Sequence, residues 1–162
     1  MNKWMVAFLP ILLLSSVAFG QSVEGYGFFA PGQTRSEGSK NPTMLHFGGG
    51  GRYVSSSGLG LGAELGVVGF TKTFGESYWG MLSANGYYQF NTSSDKAKPF
   101  VTGGYSRSFG HGTNLHWGNF GGGLTYWFAE RLGFLVEFRD HITRAKDQNL
   151  QVLTIRFGVA FK

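Results

Sequence analysis

Five charged residues stand inside segments that otherwise carry few charges: Arg52, Glu64, Glu137, Arg139 and Arg156. A lone charge taken out of water is far costlier than a paired one, and guanidinium matches carboxylate as a two-pronged partner. If these residues are buried, a mutually paired network is expected of them. Ionisable groups inside a membrane can also mark an ion or proton path.

A second candidate is the run Glu137-Phe138-Arg139-Asp140-His141-Ile142-Thr143. A hydroxyl, an imidazole and a carboxylate are the components of a nucleophile, its base and the group that orients the base. The set would be His141, Thr143 and Glu137, but no Gly-x-Ser-x-Gly elbow accompanies it. The histidines His46, His111, His116 and His141 form no His-x-x-x-His pair, and cysteine is absent, so no metal site is expected. His111 and His116 fall in one predicted outer loop. Gly58-Leu59-Gly60-Leu61-Gly62-Ala63 spells a dinucleotide fingerprint. It opens a strand, however, and no helix N-terminus follows to receive a pyrophosphate. Gly48-Gly49-Gly50-Gly51 and Gly121-Gly122-Gly123 likewise read as strand glycines. No cofactor is expected.

The elements that must position these residues show period two, the mark of strands with two unlike faces. Leu153, Ile155, Phe157, Val159 and Phe161 alternate with Val152, Thr154, Arg156, Gly158 and Ala160. Phe120, Leu124, Tyr126 and Phe128 oppose Gly121, Gly123 and Thr125, and Leu61, Ala63, Leu65 and Val67 oppose Gly60, Gly62, Glu64 and Gly66. The pattern predicts strands over 22–30, 43–54, 59–70, 78–90, 99–109, 117–128, 132–141 and 150–161. Ten residues at about 3.3 Å each, tilted by about 40°, rise roughly 25 Å, the apolar band of a membrane barrel. Connections after the first, third, fifth and seventh strands read as mostly longer, and those after the second and sixth as tight. The prolines of 21–162 fall in predicted loops or at a strand start. Phe28 and Arg107 fit neither face cleanly.

The faces separate a membrane barrel from a soluble sandwich. A water-facing outer surface needs Lys, Glu and Asp; the non-greasy face here is Gly, Ser, Thr and Asn with few charges. That composition suits a narrow lumen, where bulky side chains need glycine neighbours. The five mid-strand charges lie on this face, and an Arg turned toward lipid at the midplane would cost about 2–4 kcal/mol. Tyr78, Trp79, Trp117 and Trp127 cluster near predicted strand ends, as the aromatic girdle at a membrane interface does. An aromatic sugar platform is the alternative.

Composition agrees. The 27 glycines among 162 residues are spread without a three-residue period, charged residues make up 14 %, and there are 16 Phe, 7 Tyr and 4 Trp. The net charge of +5 is scattered, without a basic face or motif for nucleic acid. Residues 1–20 read as a signal peptide: Lys3, an apolar stretch from Met5 to Val17, then Ala18-Phe19-Gly20 before a cut. Residues 21–162 are the expected barrel domain.

Four stretches carry a resemblance. They are Lys98-Pro99-Phe100-Val101-Thr102-Gly103-Gly104-Tyr105, Asn119-Phe120-Gly121-Gly122-Gly123-Leu124-Thr125-Tyr126-Trp127, Phe134-Leu135-Val136-Glu137-Phe138-Arg139-Asp140 and Arg156-Phe157-Gly158-Val159-Ala160-Phe161. Through them the chain resembles the bacterial outer-membrane β-barrel domain family, the small OmpA- and OmpX-like barrels, over about 22–161. The resemblance implies an all-β, antiparallel eight-stranded transmembrane barrel in the cell outer membrane. Its roles would range from structural anchoring to surface interaction and adhesion. Lipid A deacylase barrels are the enzymatic alternative; they pair His-x-Ser with an acid, where this chain has His141-Ile142-Thr143. A soluble lipocalin-like binder is the third reading. The leading expectation is a non-enzymatic, monomeric barrel with a plugged lumen. Its partners would be outer-membrane lipid and, during insertion, the barrel-assembly machinery; nucleic acid is not among them.

Overall fold

A computed structural model describes residues 22–36, 41–73, 78–110, 113–145 and 148–162; the predicted signal peptide lies outside these residues. Eight strands follow in chain order: β1 (Ser22–Ser36), β2 (Thr43–Val54), β3 (Leu59–Phe70), β4 (Tyr78–Gln89), β5 (Ala97–Gly110), β6 (Thr113–Trp127), β7 (Leu132–Ala145) and β8 (Gln148–Phe161). Each pairs antiparallel with its sequence neighbour, and β8 returns to β1, closing the barrel. Closure leaves no sheet edge unpaired, which matters most where no water is at hand to satisfy backbone groups.

The alternation maps onto this wall. Ile155, Phe157 and Val159 point outward at 48 %, 50 % and 47 % exposure, while Thr154, Arg156 and Ala160 on the opposite face of the strand are buried. The apolar outside and enclosed polar inside are the reverse of a soluble barrel.

The inner face is stacked in three layers. Tyr26, Phe28, Ala30, Tyr87, Phe100, Trp127, Leu135 and Ala160 form an apolar cluster toward the end that carries Ser22 and Phe161. Met44, Val68, Met81, Trp117 and Val152 form another toward the remote end. Most of the buried charged and hydroxylated side chains fill the space between, while Glu24 and Arg52 pair on the terminal side, against the first cluster.

Five strands outrun the pattern that predicts them, β5 and β8 only slightly. β1 continues to Ser36, β6 begins at Thr113 and β7 runs to Ala145. Toward these ends the outward residues turn polar (Gln33 and Arg35 beyond Pro31, Asn114 and His116, Arg144 beyond Ile142), so greasy alternation stops while the backbone ladder, which needs no greasy face, goes on. Consequently only positions 111–112 and 146–147 separate β5 from β6 and β7 from β8, against the longer connections expected there. His116 is a strand residue for the same reason; His111 lies outside the described residues.

Pro31 sits inside β1, not in a loop. The β1–β8 ladder passes from Phe29↔Phe157 to Gly32↔Thr154, skipping the two positions around the proline, which has no N–H to donate. The two unphased residues resolve cleanly: Phe28 faces the lumen and Arg107 faces out.

Candidate functional site: a buried ionic layer in the lumen

Period two puts Glu64 on the inner face of β3, Glu137 and Arg139 on that of β7 and Arg156 on that of β8; all four are fully buried. Glu64 is the hub. Nη1 of Arg156 lies 3.0 Å from each of its oxygens, and Arg139 donates through Nη1 and Nη2 at 3.4 and 3.3 Å. The Tyr26 and Tyr87 hydroxyls donate to Oε1 at 2.8 and 3.3 Å, and stand 3.0 Å from one another.

Glu137 completes the layer. Nε of Arg139 donates to it, and Nη1 of Arg156 stands 3.9 Å from its other oxygen. Two carboxylates thus face two guanidinium groups, so the layer is formally neutral. The Arg156 guanidinium also lies over the Phe28 ring, 4.3 Å from its centroid. A cation on an aromatic face, away from water, is worth about 2 kcal/mol.

Arg52 belongs to a separate pair nearer the termini. Its Nε and Nη2 donate to Glu24 Oε2 at 2.8 and 2.6 Å, and Nη2 also donates to the Thr125 hydroxyl at 2.8 Å. Toward the remote end the network becomes neutral: Ser83 and Ser106 hydroxyls stand 2.7 Å apart, and Asn119 Nδ2 donates to Ser106 at 2.9 Å.

The strand pattern did not single out Glu24, Tyr26 or Tyr87, and it left Phe28 unphased. For Glu24, Tyr26 and Phe28 the signal was present: they share the parity of Ala30 along β1, and the opposite parity is Val23 and Phe29, both exposed. Large aromatics on the inner face hid it, because the inward phase of β1 is not less greasy than the outward one.

The residues of the hydrolase alternative are not brought together. Glu137 and His141 are four residues apart on one strand, about 13 Å at ordinary strand rise. The Glu137 carboxylate is bound by Arg139 instead, and the Thr143 hydroxyl donates to the His116 carbonyl at 2.5 Å. Among the described residues no group of three or more His, Asp or Glu side chains is placed to hold a metal ion.

No protein-family model matches the chain, and the search of curated proteins gives no match. Solved structures do match. Neisserial surface protein A superposes with a TM-score of 0.68 at 15 % identity, covering 88 % of this chain and 99 % of that one. The N-terminal β-barrel domain of Pseudomonas aeruginosa OprF gives 0.56 at 18 % identity, covering 86 % and 97 %. The fold is that of the small eight-stranded outer-membrane barrels.

In a transmembrane barrel of this kind, the expected aromatic girdle needs correction. Tyr78 faces outward, 46 % exposed, but Trp117 and Trp127 are buried in the two lumen clusters and Trp79 packs, half-buried, against the remote one. All three tryptophans carry the inward parity of their strands. Their place near strand ends is what a girdle would share, so position along the strand misleads and parity decides. Trp117 donates its indole N–H to Ser108 at 3.1 Å, a lumen partner. The outward aromatics are instead phenylalanines and tyrosines such as Tyr53, Tyr88, Phe109, Tyr126 and Phe134.

Proposed function

We propose that this chain is exported, embedded in the outer membrane and non-catalytic, with a lumen closed by its own side chains and a structural, surface-interaction or adhesion role carried by its outer wall and remote-end loops. The ionic layer around Glu64, held between two apolar clusters, carries this reading. Five donors converge on one carboxylate, and each replaces water that an open pore would supply. An eight-stranded barrel has an interior just wide enough for side chains, so a packed cross-section leaves no continuous aqueous path. The outer wall supports the membrane assignment, since large apolar side chains cover it and water would penalise their exposure.

Three measurements test the reading. Cell fractionation is expected to recover the protein only with detergent, and the folded form is expected to migrate differently in SDS gels before and after boiling. Planar bilayers containing the folded protein are expected to show no steady conductance. Recovery from the periplasm without detergent would sink the membrane assignment; a stable open channel would sink the closed lumen.

A further inference from the structure

The ionic layer uses only part of Arg156. Nη1 serves Glu64, while Nε and Nη2 are buried and have no partner among the described residues. Those two nitrogens form the side-on edge of the guanidinium, the fork that meets an oxyanion through two parallel N–H bonds. The nearby carboxylates are taken: Tyr26, Tyr87 and Arg139 fill Glu64, and Arg139 holds Glu137.

A second group is left over beside it. His141 is 1 % exposed on the inner face of β7, and neither ring nitrogen has a partner among the described residues. It stands two residues beyond Arg139 toward the remote end, paired with Val152 of the remote apolar cluster. His46 on β2 is placed alike, buried and paired with Val68 of the same cluster. Its ring meets Phe28 edge-on with the centroids 4.9 Å apart, and the Arg156 guanidinium lies over that same Phe28 ring at 4.3 Å. Of the charged side chains, Arg156 acts most strongly on both imidazoles. The three groups share one compartment, between the ionic layer and the remote apolar cluster.

Hydrogen bonding in this compartment is one-sided. The free edge of Arg156 brings only N–H groups and no lone pair, whereas a neutral imidazole brings one donor and one acceptor. Water carries as many donors as acceptors, so bridging water hands the surplus on. An anion only accepts.

We infer that Arg156, His141 and His46 form an enclosed site for one small monovalent anion, held by the Arg156 fork and by imidazole N–H groups. The site presupposes the closed lumen proposed above. A monoanion adds negative charge to a formally neutral layer, and an uncompensated buried charge is costly. A proton taken up by an imidazole supplies the balance. His141 is faced by Arg156 on β8, Arg139 on β7, Glu64 on β3 and His46 on β2, and His46 by the same three charged groups.

The test uses crystals of the purified protein grown in sodium bromide at pH 5.5 and at pH 8.5, with bromide located by its anomalous scattering. At pH 5.5 a peak is expected within hydrogen-bonding reach of Arg156 Nε or Nη2 and of an imidazole; at pH 8.5 it should weaken or vanish. Arg156→Lys keeps a cation for Glu64 but has no fork, and His141→Phe removes a donor; each should lose the peak. Water alone at the Arg156 fork in the pH 5.5 crystals overturns the inference, as does a peak that persists unchanged in both variants. Equal peaks at the two pH values remove the balancing proton and overturn the imidazoles' part. The wild-type crystals decide even where a variant fails to fold. A steady conductance in planar bilayers would sink the closed lumen itself, whereas a non-conducting barrel without bromide sinks the anion site alone.

Discussion

Arg156 on β8 reaches Glu64 on β3 through a single nitrogen that lies 3.0 Å from both carboxylate oxygens, tying together strands that are not neighbours in the sheet. The ladder holds each strand only to the two beside it. This ion pair instead fixes the cross-section of the lumen, and its removal separates wall strength from lumen strength.

Glu64→Ala leaves two buried guanidinium groups with only Glu137 to share. Removing one member of a buried ionic set costs about 3–5 kcal/mol, because the charge left behind has lost its partner. Urea unfolding in lipid vesicles should show that loss. Replacing Glu64, Glu137, Arg139 and Arg156 together with apolar residues of similar volume should cost much less, since no orphaned charge remains. Equal losses for the single and the fourfold variant would contradict the pairing.

Inward and outward glycines should respond oppositely to a side chain. At Gly121 an added Cβ would overlap the Phe138 carbonyl and press on the Arg139 Cα, neither of which can move without breaking the β6–β7 ladder. At Gly118 it would meet open space. Gly121→Val is expected to lose about 1–3 kcal/mol or fail to assemble, as overpacking does, whereas Gly118→Ala should unfold at the wild-type urea concentration.

The outer wall makes its own prediction. Leu65 is 58 % exposed midway along β3, paired with Gly49 and Leu82. Leu65→Arg should destabilise the barrel in bilayers by about 2–4 kcal/mol, the midplane cost of a lipid-facing arginine. The same change in a water-facing position would be near neutral, so the size of the loss reports what the wall faces.

Most of the wall was legible in the sequence, because a strand with one greasy face announces both its existence and its phase. Leu153 to Phe161 gives the register of β8 directly. Legibility failed where the two faces stopped differing in greasiness. β1 places Tyr26 and Phe28 inside and Phe29 outside, so its phase was hidden and Glu24 with it. Arg107 is outward and polar, so β5 resisted phasing for the opposite reason. Lengths were underestimated at β1, β6 and β7 since hydrogen bonding continues past the apolar band. The charged residues were recognisable as an inner set by parity, but their partners are set by side-chain reach across the lumen, which period two does not encode.

The tryptophans offer a spectroscopic check on that parity argument. Trp117 and Trp127 are 5 % and 4 % exposed on the inner face, and the Lys162 ammonium lies 4.0 Å from the Trp127 ring centroid. A girdle residue touches acyl chains or headgroups, whereas these two are separated from lipid by the wall itself. Single-tryptophan variants retaining only Trp117 or only Trp127 should therefore be quenched weakly by lipids brominated along their acyl chains. A control with tryptophan placed at the outward Phe157 should be quenched strongly, because that side chain is half exposed on the apolar wall. Strong quenching of Trp117 would place its ring outside and undo the apolar closure of the remote end, since Met44, Val68, Met81 and Val152 would lose the largest member of their cluster. Loss of the ring in Trp117→Ala should cost about 3–5 kcal/mol, as truncating a buried aromatic does. The matching change at exposed Tyr126 should cost far less in a bilayer.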